Sequence, residues 1–303
     1  MVLQSLFPVF ALIVLGKLLR HFEFTSEIFL KTSDRLVYFI FFPVMLFWKI
    51  GSASSSVVMN WNYCSAAVCA IFSLYLVSTA YMLIAGVPRR KAGTFSQSCY
   101  RFNTYIGMAI ILNALGEAGV RAFGILIGMA IPIINVMAVS TLIWFSEQRY
   151  SFAERLRFTV KALISNPLII ACIAGVVYSR TRIPFPAFLN NTFQLTSLVT
   201  LPLALLSIGA GLTVKNLKGN LKPALAACGF KLVLLPLVGF LFLKGFSVSG
   251  VAFQVCMIFF ALPTSTAIYV LSSQLNSDTE LASATIMLST IFSFVTLPIV
   301  LMI

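Results

Sequence analysis

Apolar runs long enough to cross a membrane recur along the whole chain, and they limit its fold more than any other feature. We place them at approximately 2–20, 34–51, 63–86, 93–115, 120–146, 159–179, 193–213, 222–244, 249–273 and 280–302. An α-helix rises about 1.5 Å per residue, so each run can span a hydrocarbon core about 30 Å thick. Strands of a membrane barrel would instead alternate in polarity over about ten residues. The sequence therefore predicts an all-α polytopic membrane protein with ten transmembrane helices.

Basic residues are unevenly divided between the two sets of loops that ten helices create. The formal net charge is +13, which in a soluble protein would indicate nucleic acid as a partner. One set of loops has fourteen lysines and arginines: Lys17, Arg20, Lys31, Arg35, Arg89, Arg90, Lys91, Arg149, Arg155, Arg157, Lys161, Lys215, Lys218 and Lys222. The opposite set has four: Arg121, Arg180, Arg182 and Lys244. Because cytoplasmic loops carry the basic excess, we predict a multi-pass protein of the cell (inner or plasma) membrane. Both termini then lie on the non-cytoplasmic side, and no nucleic-acid partner is needed to explain the charge.

The residue types that metal sites and catalytic centres need are scarce. His21 is the single histidine, and the six cysteines form no Cys-x-x-Cys pair. The sequence has no phosphate loop and no glycine-rich nucleotide fingerprint. We expect the cysteines to be small buried residues. The sequence thus predicts a protein that is not an enzyme, with no catalytic residues, no cofactor and no metal site.

The two halves of the chain match at a constant offset of 159 residues. At this offset four prolines or glycines coincide without gaps: Pro8 with Pro167, Gly16 with Gly175, Pro43 with Pro202, and Gly86 with Gly245. Five helices per half is an odd number, so the halves would have opposite membrane topology, as in many secondary transporters. We predict a first five-helix repeat over 1–146, a cytoplasmic linker over 147–158 and an inverted second repeat over 159–303.

Polar, helix-breaking segments interrupt the fourth and ninth runs. Asn103 lies 12 residues after Lys91, about 18 Å along a helix. Pro263, followed by Thr-Ser-Thr, lies 14 residues before Ser277, about 21 Å along a helix. Both positions are near the bilayer centre, where broken helices at matched positions indicate a substrate site.

Free N–H groups and the positive end of the helix dipole at such breaks favour a carboxylate. Asn103 or Thr104 can cap the first break, and Thr264 or Ser265 the second. The predicted substrate-binding residues are Arg101, Asn103, Thr104, Gly107, Pro263, Thr264, Ser265 and Thr266. Pro43 and Pro202 are candidates on the opposite, scaffold side, although both also fit simple helix kinks. An alternative interpretation is that Gly107 and Pro263 merely kink packed helices.

The charges inside the runs favour an anion. Arg101 and Lys231 lie nine or ten residues into their runs, and Asp34, Glu117, Asp278 and Glu280 all lie at run ends. Snorkelling to the interface would explain Lys49 and also Lys231. A cation antiporter would be expected to bury a carboxylate. Sodium coupling stays open, because backbone carbonyls and Asn or Thr side chains can also hold sodium.

Four segments resemble the auxin efflux carrier family in its compact bacterial form. They are "RFNTYIG" at 101–107, "NPLIIACIAG" at 166–175, "LPLALLSIGAGL" at 201–212 and "ALPTSTAIYVLSSQLN" at 261–276. The resemblance implies a ten-helix fold akin to bile-acid symporters and sodium/proton antiporters, in which spans four and nine unwind and cross. It also implies a scaffold of spans 1, 2, 6 and 7, and a transport domain of spans 3–5 and 8–10 that moves like an elevator.

By the same resemblance, the substrates are carboxylates such as auxin in plants or malonate-like dicarboxylates in bacteria. Asn103 matches the family's asparagine at the first crossing, and Ala261, Leu262 and Pro263 match the start of the second. This chain has Ala109 and Ile268 where relatives have further prolines.

The function expected from these observations is secondary transport of a small organic anion by alternating access. Two alternatives are a proton- or sodium-coupled symporter of a different small solute, and a non-transporting membrane receptor or assembly subunit on the same scaffold. The expected partners are the anion, the lipid bilayer, a coupling ion (H⁺ or Na⁺) if transport is coupled, and a second copy of the chain if it forms a homodimer.

Overall fold

The computed structural model describes residues 2–52, 61–146, 151–212 and 219–302. Within these ranges the chain is helical, and its one β-type pairing is an isolated bridge. The helices are α1 (Val2–His21), α2 (Glu27–Leu36), α3 (Phe42–Gly51), α4 (Trp61–Ile84), α5 (Arg89–Tyr100), α6 (Thr104–Phe145), α7 (Phe152–Ile164), α8 (Pro167–Thr181), α9 (Ala187–Gly211), α10 (Leu221–Gly229), α11 (Leu235–Gly245), α12 (Gly250–Ala261), α13 (Ala267–Gln274) and α14 (Thr279–Leu301). A π-helical turn, Val37–Phe41, joins α2 to α3, and another, Phe230–Leu234, joins α10 to α11.

Five stretches of the described chain are each long and apolar enough to cross a membrane. They are Trp61–Ile84, Thr104–Phe145, Ala187–Gly211, Leu221–Gly245 and Thr279–Leu301. This agrees with a polytopic helical membrane protein, and the number of ten spans stays a prediction.

Gly116 divides the longest of these stretches into two helices. Its φ of 60° and ψ of −153° lie outside the helical region and suit glycine, which has no Cβ. This kink falls between the predicted runs 93–115 and 120–146, so α6 contains the end of one run and nearly all of the next.

The predicted continuous run 159–179 is wrong in one respect, because the helix is interrupted between α7 and α8. Pro167 has no N–H to continue the helix, and Asn166 caps α8 by accepting hydrogen bonds from the N–H groups of Leu168 (3.0 Å) and Ile169 (3.4 Å). The Ser-Asn-Pro sequence at 165–167 is a recognisable signal for this interruption.

Helix α7 begins inside the predicted linker 147–158, of which residues 147–150 lie outside the described part. Ser151 and Glu154 form a capping box: the Ser151 N–H donates to Glu154 Oε2 (2.8 Å), and the Glu154 N–H donates to Ser151 Oγ (3.3 Å). The Ser151 N–H and hydroxyl both donate to the Glu154 carboxylate, and these two hydrogen bonds hold its pKa below the ordinary value. The basic residues Arg149, Lys215 and Lys218 also lie outside the described residues.

Two helix pairs pack so closely that only glycine fits between them. A side chain on Gly16 of α1 would overlap the carbonyl oxygen of Leu206 on α9. A Cβ on Gly175 of α8 would lie 3.1 Å from the carbonyl oxygen of Phe47 on α3. These contacts bring α1 against α9 and α3 against α8. Apart from Phe42 on α3, the fully buried aromatic rings lie on α5, α6 and α12: Phe95, Tyr100, Phe123, Phe259 and Phe260.

Candidate functional site

Two interrupted helices meet at one point in the structure. The first interruption separates α5 from α6 at residues 101–103, and the second separates α12 from α13 at residues 262–266. Phe102 and Thr264 form an antiparallel bridge, and the Asn103 N–H donates to the Pro263 carbonyl oxygen (2.9 Å). The extended segments therefore satisfy part of each other's backbone, as buried non-helical chain requires.

Asn103 begins the helix that leaves the first interruption. Its Oδ1 accepts hydrogen bonds from the N–H groups of Tyr105 and Ile106, both at 3.1 Å. The side chain is only 2% exposed, and its Nδ2 has no hydrogen-bond partner among the described residues. An unsatisfied buried donor costs about 1–3 kcal/mol, so an acceptor placed at Nδ2 would be stabilised.

The second interruption is held by hydroxyl groups. The Thr264 N–H donates to Ser289 Oγ (3.0 Å), and the Thr264 hydroxyl donates to the Ser98 carbonyl oxygen at the end of α5 (3.1 Å). Ser265 Oγ accepts from the N–H of Ala267 (3.2 Å), the first residue of α13. Thr264 thus ties the two interruptions together, and Ser265 satisfies the first N–H of α13.

Arg101 supplies a positive charge next to Asn103. Its guanidinium donates to Gln97 Oε1 (3.4 Å) and to Asn135 Oδ1 (3.2 Å), which are both neutral acceptors. In the described part of the chain Arg101 forms no ion pair. It is partly solvent-accessible although protein surrounds it. A carboxylate would therefore form an ion pair with Arg101 without having to displace an existing one.

A buried polar network fixes the helix that carries Arg101. Gln97 Nε2 donates to Ser272 Oγ (2.9 Å), and the hydroxyls of Thr94 and Ser272 are hydrogen-bonded at 2.7 Å. Thr94 also donates to Ser277 Oγ (2.9 Å), which in turn donates to the Arg90 carbonyl oxygen (2.8 Å). The network joins α5 to α13, so the two interrupted segments are linked well beyond their crossing.

Comparison with known proteins assigns the chain to a family. The sequence profile of the family described as "Membrane transport protein" matches residues 146–301, which is more than half of the chain. The chain belongs to this membrane transport family. Its resemblance to auxin efflux carriers is thereby confirmed at the level of the family.

Two archaeal relatives match nearly the full length of this transport protein. An uncharacterized transporter of Methanothermobacter thermautotrophicus is 23% identical over 302 residues, covering 98% of this chain and 96% of the relative. An uncharacterized transporter of Methanocaldococcus jannaschii is 23% identical over 294 residues, covering 94% and 93% of the two chains. The protein is thus a multi-pass membrane protein of a transporter family, and the names suggest transport rather than enzymatic activity.

The structure brings the predicted site residues to the crossing in different roles. Arg101, Asn103, Pro263 and Thr264 lie at the contact itself, whereas Thr104, Ser265 and Thr266 are partly exposed beside it. Gly107 lies within the first turn of α6 and does not break it. A Cβ at Gly107 would lie 2.5 Å from Leu262 Cδ1 and 2.7 Å from Phe123 Cζ. Gly107 thus serves close packing across the crossing.

The two scaffold-side prolines take no part in the hydrogen bonds described above. Pro43 follows the π-helical turn, and Pro202 lies inside α9. One contact between this side and the crossing is made by Phe42, whose ring centroid lies 4.9 Å from that of Tyr105. Tyr38 also interacts electrostatically with Arg101.

The suggestion that Lys231 snorkels to the membrane interface is wrong, because its side chain is fully buried. Lys49, by contrast, reaches the partly exposed Glu117, with 2.5 Å between Nζ and Oε1. Sequence reasoning also missed Gln97, Asn135 and Ser289. Each is a polar residue inside an apolar run, which was the available signal.

Proposed function

We propose that this protein is a secondary transporter of small carboxylates that works by elevator-type alternating access. The observation that carries the proposal is the buried Asn103 amide. Its oxygen is committed to capping α6, while its nitrogen has no partner among the described residues. The membrane transport family supports transport in general, and the crossing supports the choice of anion.

A substrate carboxylate would accept hydrogen bonds from Asn103 Nδ2 and from the Arg101 guanidinium. The N-terminus of α6 adds its positive dipole end, and Thr104 and Ser265 offer hydroxyls next to it. Because the acceptors that Arg101 meets among the described residues are amide oxygens, the anion would bring a full negative charge to it. Neutral solutes would leave that charge uncompensated, which favours anions.

Symmetry within the contacts supports the inverted repeat. The offset of 159 that relates Gly16 to Gly175 also relates Phe47 to Leu206. The contact of Gly16 with Leu206 in the first pair therefore corresponds to the contact of Gly175 with Phe47 in the second. The bridge between Phe102 and Thr264 joins the two interruptions, which lie in the corresponding fourth and ninth predicted runs of the two halves.

These relations support two repeats over 1–146 and 159–303 joined by the linker 147–158. They also support a scaffold of α1–α3 and α7–α9, with α4–α6 and α10–α14 moving past it. The basic loops would face the cytoplasm, with both termini on the other side.

The test is radiolabelled uptake into proteoliposomes of malonate, a longer dicarboxylate and an aromatic acid. We expect one of these anions to enter, and Asn103→Ala to reduce its uptake about tenfold or more, as the loss of about 1.4 kcal/mol would. The matched control is Asn62→Ala, since Asn62 lies at the exposed start of α4, where its amide donates to the Phe246 carbonyl oxygen (3.3 Å). Equal uptake by the folded Asn103→Ala protein and its parent would refute the site. No flux of any anion would favour a different solute or a non-transporting role.

A further inference from the structure

Lys231 is a buried lysine that the proposed substrate site does not use. It lies in the π-helical turn Phe230–Leu234, and none of its surface is exposed. Its Nζ donates to the Phe260 carbonyl oxygen (2.8 Å). Among the described residues no carboxylate forms an ion pair with it. Burying an unpaired ammonium is costly, so its position calls for an explanation.

Local structure places Lys231 beside the end of α12. The π turn inserts a residue and so changes the direction in which side chains leave the helix. A side chain on Gly239 would overlap the Phe260 ring, so α11 and α12 can approach each other closely. This approach brings the Phe260 carbonyl within reach of Lys231.

The end of α12 has carbonyl oxygens without helical donors. In a continuous helix, Phe259 and Phe260 would accept from the N–H groups of residues 263 and 264. Pro263 has no N–H, and the Thr264 N–H is donated to Ser289 Oγ. The two carbonyls also stand at the negative end of the α12 dipole. Such half-helix C-termini near the membrane midplane are where secondary transporters coordinate coupling sodium ions or protons.

The corresponding end of α5 is also occupied by a donor from the chain. There the Ser98 carbonyl oxygen accepts from the Thr264 hydroxyl (3.1 Å). The carbonyl groups at the end of α5 therefore accept a hydrogen bond from a threonine hydroxyl, and those at the end of α12 accept one from the lysine Nζ.

We infer that the Lys231 ammonium is a built-in cation that takes the place of a coupling sodium ion at the C-terminal end of α12. Transport by this protein is then independent of sodium. The statement about transport rests on the proposed function, whereas the statement about the cation position does not.

Removing the ammonium creates a vacancy that sodium can fill. In Lys231→Ala the Phe259 and Phe260 carbonyls stay in place, with room for an ion and water. In Lys231→Gln an amide keeps a donor at Phe260 and leaves less space. The matched control is Lys244→Ala, because Lys244 lies at the end of α11, 5.4 Å from the ring centroids of Phe240 and Phe253.

The first measurement is thermal unfolding of the full chain in detergent, in sodium chloride and in choline chloride at equal ionic strength. We expect the Tm of the parent, of Lys231→Gln and of Lys244→Ala to be the same in both salts. In choline chloride the Tm of Lys231→Ala is lower than that of the parent. In sodium chloride the Tm of this variant is about 2–4 °C or more higher than in choline chloride. A parent protein stabilised by sodium, or a Lys231→Ala protein with the same Tm in both salts, overturns the inference. If Lys231→Ala does not fold, the parent's response to sodium still decides.

The second measurement is anion uptake by the parent with sodium or choline outside. Equal rates support the inference, and a rate about fivefold or more higher in sodium overturns it. If no anion is transported, the proposed function fails, while the unfolding experiment still tests the cation position on its own.

Discussion

At the residue scale, Arg101 depends on two neutral neighbours for its position. Asn135 Oδ1 and Gln97 Oε1 hold the guanidinium without neutralising it. We predict that Asn135→Asp raises the KM for the transported anion about 10- to 100-fold, because a carboxylate at this position pairs with Arg101 and competes with substrate. Asn135→Ala, which adds no charge, should raise KM much less. Concentration-dependent uptake by both variants measures the difference, and equal KM values for them would contradict this role.

Sequence reasoning finds the polar residues of the site more readily than their partners. Arg101, Asn103 and Thr264 stand out because they interrupt apolar runs. Their pairing depends on which helices lie side by side: Asn135 is 34 residues from Arg101, and Ser289 is 25 from Thr264. Lys231 illustrates the same difficulty, because a lysine inside an apolar run is compatible with both snorkelling and burial until its neighbouring helix is known.

At the element scale, the fit between α1 and α9 depends on glycine. A side chain on Gly209 would overlap the carbonyl oxygen of Ile13, whereas none of the described residues comes within 4 Å of the Cβ position of Gly211. We predict that Gly209→Ala destabilises the protein by about 1–3 kcal/mol, because overpacking forces the backbones apart. Thermal unfolding in detergent measures this as a lower Tm. Gly211→Ala, two residues along the same helix, is the control and should leave Tm nearly unchanged. A similar decrease in both variants would mean that the close approach is not the cause.

Helix ends were harder to predict than helix centres, for reasons visible in particular residues. The kink at Gly116 is an exception, because it falls in the gap between the predicted runs 93–115 and 120–146. The interruption at Asn166 falls inside an apolar run, where local capping by the asparagine side chain outweighs the pattern. The π turn before Pro43 has no sequence signal beyond the proline itself, because it depends on how α2 and α3 pack.

At the scale of the whole molecule, two polar contacts differ in what they connect. Lys49 of α3 pairs with Glu117, which follows the kink at Gly116 in α6. This ion pair joins the proposed scaffold to the proposed moving unit. Trp48, one residue earlier, donates from Nε1 to Asn190 Oδ1 on α9 (2.8 Å), and this contact lies within the proposed scaffold. Elevator motion must break the first contact and can preserve the second.

Crosslinking at these two positions tests the motion directly. We predict that joining cysteines at Lys49→Cys and Glu117→Cys with a short bismaleimide abolishes uptake, because the two units can no longer slide past each other. Joining Trp48→Cys to Asn190→Cys with the same reagent should leave most uptake intact. The six native cysteines are replaced first, although five of them are buried. Undiminished uptake by the fully crosslinked Lys49→Cys/Glu117→Cys protein would mean that this part of the molecule moves as one body. The carboxylate would then have to reach both sides of the membrane without relative motion of these helices.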